Sequence, residues 1–198
     1  MSRNPVARHA KVDRRVRRTR ESLGDALVEL IREKPFAAIT VQEVLDRSNV
    51  GRSTFYTHYR DKDDLFLSDV DDFFIGMGTL LSRRGDTSNR VAPAQELFAH
   101  IAEVRDFYAA LVASDKIHDV LEMGQGHLAR GIDARLREMP RAQDLPAPAR
   151  AATSAALAGA LLSLLTWWID HGMPSTPAEM DDLYHALVWS GVDAQSRP

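Results

Sequence analysis

Thr40, Arg52, Ser53, Thr54, Tyr56, Thr57, His58 and Lys62 gather hydroxyls, an imidazole and two cations into one short stretch of a 198-residue chain. No nucleophile elbow or other nucleophilic signature surrounds a serine in that mixture, so it does not read as bond-making chemistry. It suits an anion. Serine, threonine and tyrosine hydroxyls donate to phosphate oxygens, and arginine is the commonest side chain to meet guanine in a major groove. The stretch therefore suits contact with duplex nucleic acid, although the exposed helix faces of any small helical domain carry the same residue types.

Such donors need rigid elements beneath them. Thr40 followed by Glu43 is a capping box that starts a helix at Val41, with Ile39 and Val44 stapling its entry and Val41, Val44 and Leu45 on its apolar face. Ser48 and Asn49 break it, since asparagine tolerates the left-handed conformation of a sharp turn. Gly51 serves as a permissive N-cap for a second helix over residues 52–58, where Val50 and Phe55 form another staple. Phe55 and Tyr59 sit four apart and anchor one side, leaving Arg52, Ser53, Tyr56 and Thr57 largely elsewhere. Asp61, with Asp64 at the capping-box position, opens a further helix whose first turn carries Lys62, pointed with the free amides of that helix end towards an anion. Ahead of all this, Leu23, Ala26, Leu27, Leu30 and Ile31 recur with helical spacing over 17–34, and Pro35 ends that helix. Leu23, Leu27, Leu30, Phe36, Val41, Val44, Leu45, Val50, Phe55 and Tyr59 form the expected core of a three-helix head. Its pattern is a helix-turn-helix.

The run VGRSTFYTHYRDKDDL closely resembles the recognition helix and following helix start of the TetR/AcrR family of bacterial one-component transcriptional regulators, and KPFAAITVQEV resembles what precedes them there. The likeness covers roughly residues 17–67. It implies that Thr40, Ser53, Thr54, Tyr56, His58 and Lys62 contact phosphates and that Arg52 reads a base. Two positions depart from the family pattern. Asn49 stands where glycine is usual, and Gly51 where a capping serine or asparagine is common, at the cost of a side-chain cap and one phosphate contact.

Charge supports the same division. The net charge of −3 would argue against a nucleic-acid partner, yet residues 1–62 hold 14 Lys+Arg against 8 Asp+Glu, while the remainder holds 11 against 20. A basic head on an acidic body is the expectation. Residues 1–16, with Arg3, Arg8, Lys11, Arg14 and Arg15, are expected to form a flexible basic arm, either entering a minor groove or adding only nonspecific attraction. The chain contains no cysteine, which excludes disulfides and thiolate metal sites. No apolar run of about 18 residues and no secretory leader is evident, so a cytoplasmic protein without membrane contact is expected.

The body, residues 63–198, reads as helices throughout: 62–82, 91–104, 106–113, 117–139, an apolar segment within 147–171, and 176–192, with a loop over 83–89 and a proline-rich surface connection over 139–150. Leu65, Phe66, Val70, Phe73, Phe74 and Met77 take the inner side of the first, and Gly124, Gly126 and Gly131 invite a kink in the fourth. The apolar segment is hydrophobic nearly all round from Leu157 to Ile169, with Ala155, Ala156, Ala158, Gly159 and Ala160 small enough to admit another helix. With Met180, Leu183, Leu187 and Val188 on one face of the last helix, the pair 147–171 and 176–192 is expected to pack against its own copy in a two-fold four-helix bundle. The family likeness implies the same, and WWIDHGMPSTPAEM resembles C-terminal domains of some members.

Other chemistries find little support. His118, Glu122 and His127, or Asp181 and His185, have helical spacing but complete no usual ligand set, so no metal is expected. No nucleophile elbow surrounds any serine and no glycine-rich phosphate loop occurs, so neither catalysis nor a cofactor is expected. Phe74, Met77, Tyr108, Met123, His127 and Trp167, with Phe98 and Phe107, could pack solid or leave a pocket for a small apolar effector. The sequence thus predicts an all-α chain of about nine helices, an N-terminal DNA-binding head at 17–62 followed by a larger ligand-binding and dimerisation domain. It would act as a repressor released from a palindromic operator by a small molecule. The alternative is a helical ligand-binding or adaptor protein whose head grips another protein.

Overall fold

The computed structural model describes residues 5–81, 88–105, 108, 116–142 and 144–195, the side chains of 5–14, 79, 81 and 191–195 excepted. The expected loop over 83–89 and the expected helix over 106–113, with Phe107 and Leu111, fall mostly outside them. Among the described residues there are eight α-helices and no strand: α1 Pro5–Glu33, α2 Val41–Ser48, α3 Arg52–His58, α4 Lys62–Leu81, α5 Ala94–Glu103, α6 Ile117–Glu138, α7 Ala147–Asp170 and α8 Pro177–Gln195. Short 3-10 turns occupy Phe36–Ala38 and Pro140–Ala142.

The chain divides into two compact units, Met1–Asp69 with Asp106–Ile117, and Val70–Arg105 with His118–Pro198. The division falls inside α4 rather than at residue 62, because the first turns of that helix complete the head: Leu65 and Phe66 are buried there and Phe66 meets Phe36 at 5.4 Å between ring centroids. Helix α1 starts at Pro5, not at residue 17. Proline suits a first helical position, where its missing amide is no loss, and the alanine, arginine and lysine residues that follow favour the helix. The flexible arm expected over 1–16 is therefore helical from Pro5 onward.

In the head, Leu23, Leu27, Leu30, Phe36, Val44, Leu45, Phe55 and Tyr59 are buried, whereas Val41 and Val50 are only half-buried. Tyr59 sits in the core with its hydroxyl accepting a 3.0 Å bond from Arg20 Nε, and Arg20 Nη2 reaches Ser68 Oγ at 2.7 Å. One buried phenol and one guanidinium thereby tie α1 to the end of the second reading element and to α4.

The body has its own core. Leu97 and Phe98 of α5, Leu128, Ile132 and Leu136 of α6, Leu161, Leu165 and Trp168 of α7, and Met180, Tyr184 and Val188 of α8 pack together. Trp168 lies edge-on to Phe98 at 5.0 Å, and its indole nitrogen donates to the Ser175 carbonyl at 2.8 Å. Helix α6 runs unbroken despite its glycines, and Gly124 explains one of them: a Cβ there would lie 2.4 Å from Phe74 Cζ. The glycine admits the ring.

Three expectations for the C-terminal region need correction. Met180 and Val188 face the core, but Leu183 and Leu187 do not share their face; they are 45% and 60% exposed, because the inward stripe is Met180, Tyr184 and Val188 at four-residue spacing. The connection ahead of α7 is not wholly superficial, since Met139, Ala142 and Leu145 are buried. Finally, α7 is by length and composition apolar enough to cross a bilayer, with about a third of its apolar stretch buried inside the protein. The run escapes a count of large hydrophobes because alanine supplies much of it.

Candidate nucleic-acid interface

Helix α2 begins as its sequence demands. The Thr40 hydroxyl accepts from the Glu43 amide at 3.3 Å, and Glu43 Oε2 accepts from both the Thr40 amide and the Thr40 hydroxyl at 2.9 Å. Lys34 closes on the other carboxylate oxygen, Oε1. Hydrogen bonds from Lys34 first, then from the Thr40 amide and hydroxyl, hold the Glu43 carboxyl at about 2, well below its ordinary 4.5. The helix ends on Asn49 in the left-handed region, φ 54°, whose amide donates to the Leu45 carbonyl. That turn redirects the chain into α3, which Gly51 starts without any side-chain cap.

Of the side chains on α3, only Phe55 is buried; Arg52, Ser53, Tyr56 and Thr57 are exposed, Tyr56 by 52%, and Thr54 and His58 are half-buried. Phe55 packs against Tyr59 at 5.7 Å and edge-on to Tyr56 at 5.3 Å, so an aromatic pair holds the helix down while its hydroxyls and guanidinium face outward. Thr57 Oγ1 donates back to the Ser53 carbonyl at 2.9 Å. Arg47, in the last turn of α2, is committed to Glu29 and Glu33, whereas Arg52 donates from Nη2 to the neutral carboxamide of Gln42 at 2.6 Å and keeps its full charge. Gln42 has no place among the residues expected from sequence. A long carboxamide in the first turn of α2 was the available signal, but only folding brings it to Arg52.

Lys62 departs from expectation. Its ammonium donates to the carbonyls of Phe36 at 2.7 Å, Ala37 at 3.2 Å and Ile39 at 2.6 Å, and lies 4.8 Å from the Phe36 ring centroid. An ammonium has three protons, and three carbonyls take them. Burial is the main cause that lowers its pKa. Lys62 thus fastens the Phe36–Ala38 turn to the start of α4 instead of projecting towards solvent. Beside it, Asp61 Oδ1 caps α4 through the Asp64 amide at 2.8 Å, while the Asp64 carboxylate reaches past Asp61 to the Arg60 amide at 2.9 Å and to the Arg60 guanidinium.

The residues considered for an effector do not converge. Phe74 is buried against Gly124, with His127 stacked at 6.0 Å and bonded to Asp71 at 2.7 Å, and the cleft beside them holds only about 10 Å³. Tyr108 is buried and belongs to the other unit. Met77 and Met123 are half-buried and line neither that cleft nor the groove beside Trp167. Trp167, 46% exposed and stacked on His171, instead lines an open groove of about 810 Å³ along α6 and α7 with His118, Glu122, Gln125, Ser163 and Asp170.

The first of the two metal candidates is split. His118 and Glu122 border that groove while His127 pairs with Asp71, and among the described residues no group of three potential ligands converges. Asp181 and His185 are structural. His185 Nε2 accepts from the Val91 amide at 3.1 Å, and Asp181 accepts from the Gln95 amide at 2.9 Å and from Arg90 at 3.1 Å. Burial alone would raise the Asp181 carboxyl; His185, the Gln95 amide and Arg90 outweigh it and hold the carboxyl below its ordinary range.

Comparison with known proteins meets this geometry at both ends of the chain. Residues 23–68 match the model for bacterial regulatory proteins of the tetR family, and residues 93–188 match one for a transcriptional regulator C-terminal region. The chain is 45% identical over 56 residues, 28% of its length, to the uncharacterized HTH-type transcriptional regulator YxbF of Bacillus subtilis (strain 168), and the match spans only 15% of that protein's length. Among solved structures, a TetR transcriptional regulator from Streptococcus agalactiae 2603V is 26% identical, with 91% of this chain and 98% of that one covered at a TM-score of 0.61. The fatty acid degradation regulator FadR from Bacillus halodurans shares the fold at 15% identity, covering 95% of this chain and 96% of its own with a TM-score of 0.60. With its α2–α3 helix-turn-helix inside one matched segment and its α5–α8 core inside the other, the chain belongs to the TetR family of DNA-binding transcriptional regulators.

Proposed function

We propose that this regulator is a cytoplasmic homodimeric repressor that binds a near-palindromic operator and is released by a small molecule. The observation that carries the DNA part is the outward face of α3: Arg52, Ser53, Tyr56 and Thr57 are exposed together while Phe55 alone is buried. In this reading Arg52 meets a base edge, and Thr40, Ser53, Thr54, Tyr56, Thr57 and His58 meet phosphates on either side of it. The basic first turns of α1 add nonspecific attraction. Lys62 contributes by holding the connector ahead of α2 rather than by touching a phosphate.

Two copies would join through α7 and α8. On α7 the exposed positions include Ala151, Ala152, Ala155, Ala156 and Ala160, and on α8 Ala178, Leu183, Ala186 and Leu187, which together make a small-residue face flanked by two leucines. That surface supports pairing of α7 with a second copy rather than with lipid, and half-sites one helical turn apart, about 34–36 Å or a multiple, follow for the operator. The effector belongs in the open groove along α6 and α7, since the cleft near Phe74 and His127 is too small for more than a water. A ligand there acts by binding the DNA-free conformation more tightly, with α4, shared by both units, as the element that transmits the change.

Selection of bound sequences from a random duplex pool, followed by a salt titration on the enriched site and on random duplex, tests the reading. A two-fold symmetric site with a steep salt slope is expected. Binding with no salt slope and no enriched sequence would favour the adaptor alternative.

A further inference from the structure

Arg52 and Gln42 come from different helices of the head, yet the Arg52 guanidinium donates to Gln42 Oε1 at 2.6 Å, and Gln42 Nε2 donates to Asp46 Oδ1 at 2.7 Å. The three side chains form one exposed chain from cation through carboxamide to carboxylate. Its direction is fixed by charge. Turning the Gln42 amide over would set its N–H groups against the guanidinium and its oxygen against the Asp46 carboxylate, so each end enforces the orientation of the other.

That arrangement has a consequence for readout. A long arginine side chain loses much rotamer entropy when it settles on a base, and a neighbour that holds the planar fork in advance reduces that loss. Among the described residues Gln42 is the sole hydrogen-bond partner of the Arg52 side chain, and because it is neutral it takes only one of the five guanidinium N–H groups and none of the charge. Arg47 offers the contrast: Glu29 and Glu33 accept three of its hydrogen bonds and neutralise it.

We infer that Gln42, anchored by Asp46, is a positioning residue that sets the orientation in which Arg52 reads its base pair, so that α2 contributes to sequence specificity through α3. The inference rests on the DNA-binding reading above. Gln42 would neither read a base itself nor neutralise a phosphate.

The full-length chain decides this in a single competition experiment. The wild type first yields the preferred site by selection; then wild type, Gln42→Met, Arg52→Ala and the double variant are measured on that site and on every single-base change within it. Arg52→Ala should erase discrimination at one or two adjacent positions. Gln42→Met, which keeps the length but not the hydrogen bonds, should reduce discrimination at those same positions by about three- to tenfold, the size of one net hydrogen bond written as a ratio. The double variant should match Arg52→Ala, and the salt slope of Gln42→Met should equal that of wild type. Altered preference at a different position would make Gln42 a base reader in its own right, and unchanged preference or simple additivity would make the pair incidental; either overturns the inference. A wild type that enriches no sequence sinks the DNA reading and the inference together, whereas a wild type with a clear site and an inert Gln42→Met sinks the inference alone.

Discussion

Two regions of this protein leave a helix face uncovered, and the faces have opposite chemistry. On α3 the uncovered side chains are Arg52, Ser53, Tyr56 and Thr57; on α7 and α8 the uncovered apolar ones are mainly alanines with Trp167, Leu183 and Leu187. A polar face has little to gain from another apolar surface and much to gain from a polyanion that its donors can satisfy. An apolar face gains only when water is removed from it, and a second copy can do that with complementary shape. The contrast teaches that exposure alone marks no function; the kind of atom exposed selects the kind of partner.

The comparison breaks most visibly at the apolar face. Leu183→Glu combined with Leu187→Glu should leave the protomer folded, since both side chains already face outward, yet convert a dimer to a monomer in sedimentation and lower operator affinity by about a hundredfold or more as the linkage of two half-sites is lost. A variant that remains dimeric would place the partner surface elsewhere. At the polar face, Arg52→Ala should cost roughly 1–3 kcal/mol at one or two base positions while leaving thermal stability unchanged. Equal loss on operator and random duplex would remove Arg52 from base reading.

Substitutions beneath the faces sharpen the contrast. Gly124→Ala should destabilise the body by about 1–3 kcal/mol through overpacking against Phe74, seen as a lower unfolding midpoint. Lys62→Ala leaves the Ala37 and Ile39 carbonyls without this donor and the Phe36 carbonyl with only the Ile39 amide, so about 1–3 kcal/mol of stability should be lost, with DNA affinity falling uniformly and the salt slope unchanged. A slope shallower by about one would instead return Lys62 to the phosphate backbone.

The smallest effect is titratable. Because the folded-state pKa of Glu43 is depressed, its contribution is complete above its ordinary 4.5 and is lost as pH falls towards about 2. Urea unfolding at successive pH values should therefore show wild type losing stability relative to Glu43→Gln across that window, with a constant difference above it. A difference that varies only near neutrality would contradict the Lys34–Glu43–Thr40 arrangement.

Legibility in the sequence followed the range of the interactions. The bounds of α2 and α3 were readable because Thr40 and Glu43, Asn49 and Gly51 act within a few residues of one another, and the same logic applied to Thr176 would have announced the capping box that Thr176 and Glu179 make at the start of α8. Helical periodicity likewise separated Phe55 and Tyr59 from the polar side of α3. The split of α8 into two faces was harder, since Leu183 and Leu187 satisfy helical spacing as well as Met180 and Val188 do, and only packing says which stripe finds a core.

What the amino-acid order determined on its own was therefore the positions of most described helices, the head with its exposed donors, and the family, all of which depend on local capping, periodicity and a contiguous motif. Only the tertiary structure decided that Lys62 turns onto three carbonyls, that Gln42 meets Arg52, that Phe74, Phe98 and Trp168 pack in the body while Trp167 stays exposed, and that Asp181 and His185 hold a loop. Those outcomes depend on groups separated by 10 to 94 residues in the chain, and which of several compatible partners a polar or apolar side chain meets is settled only when the helices come together.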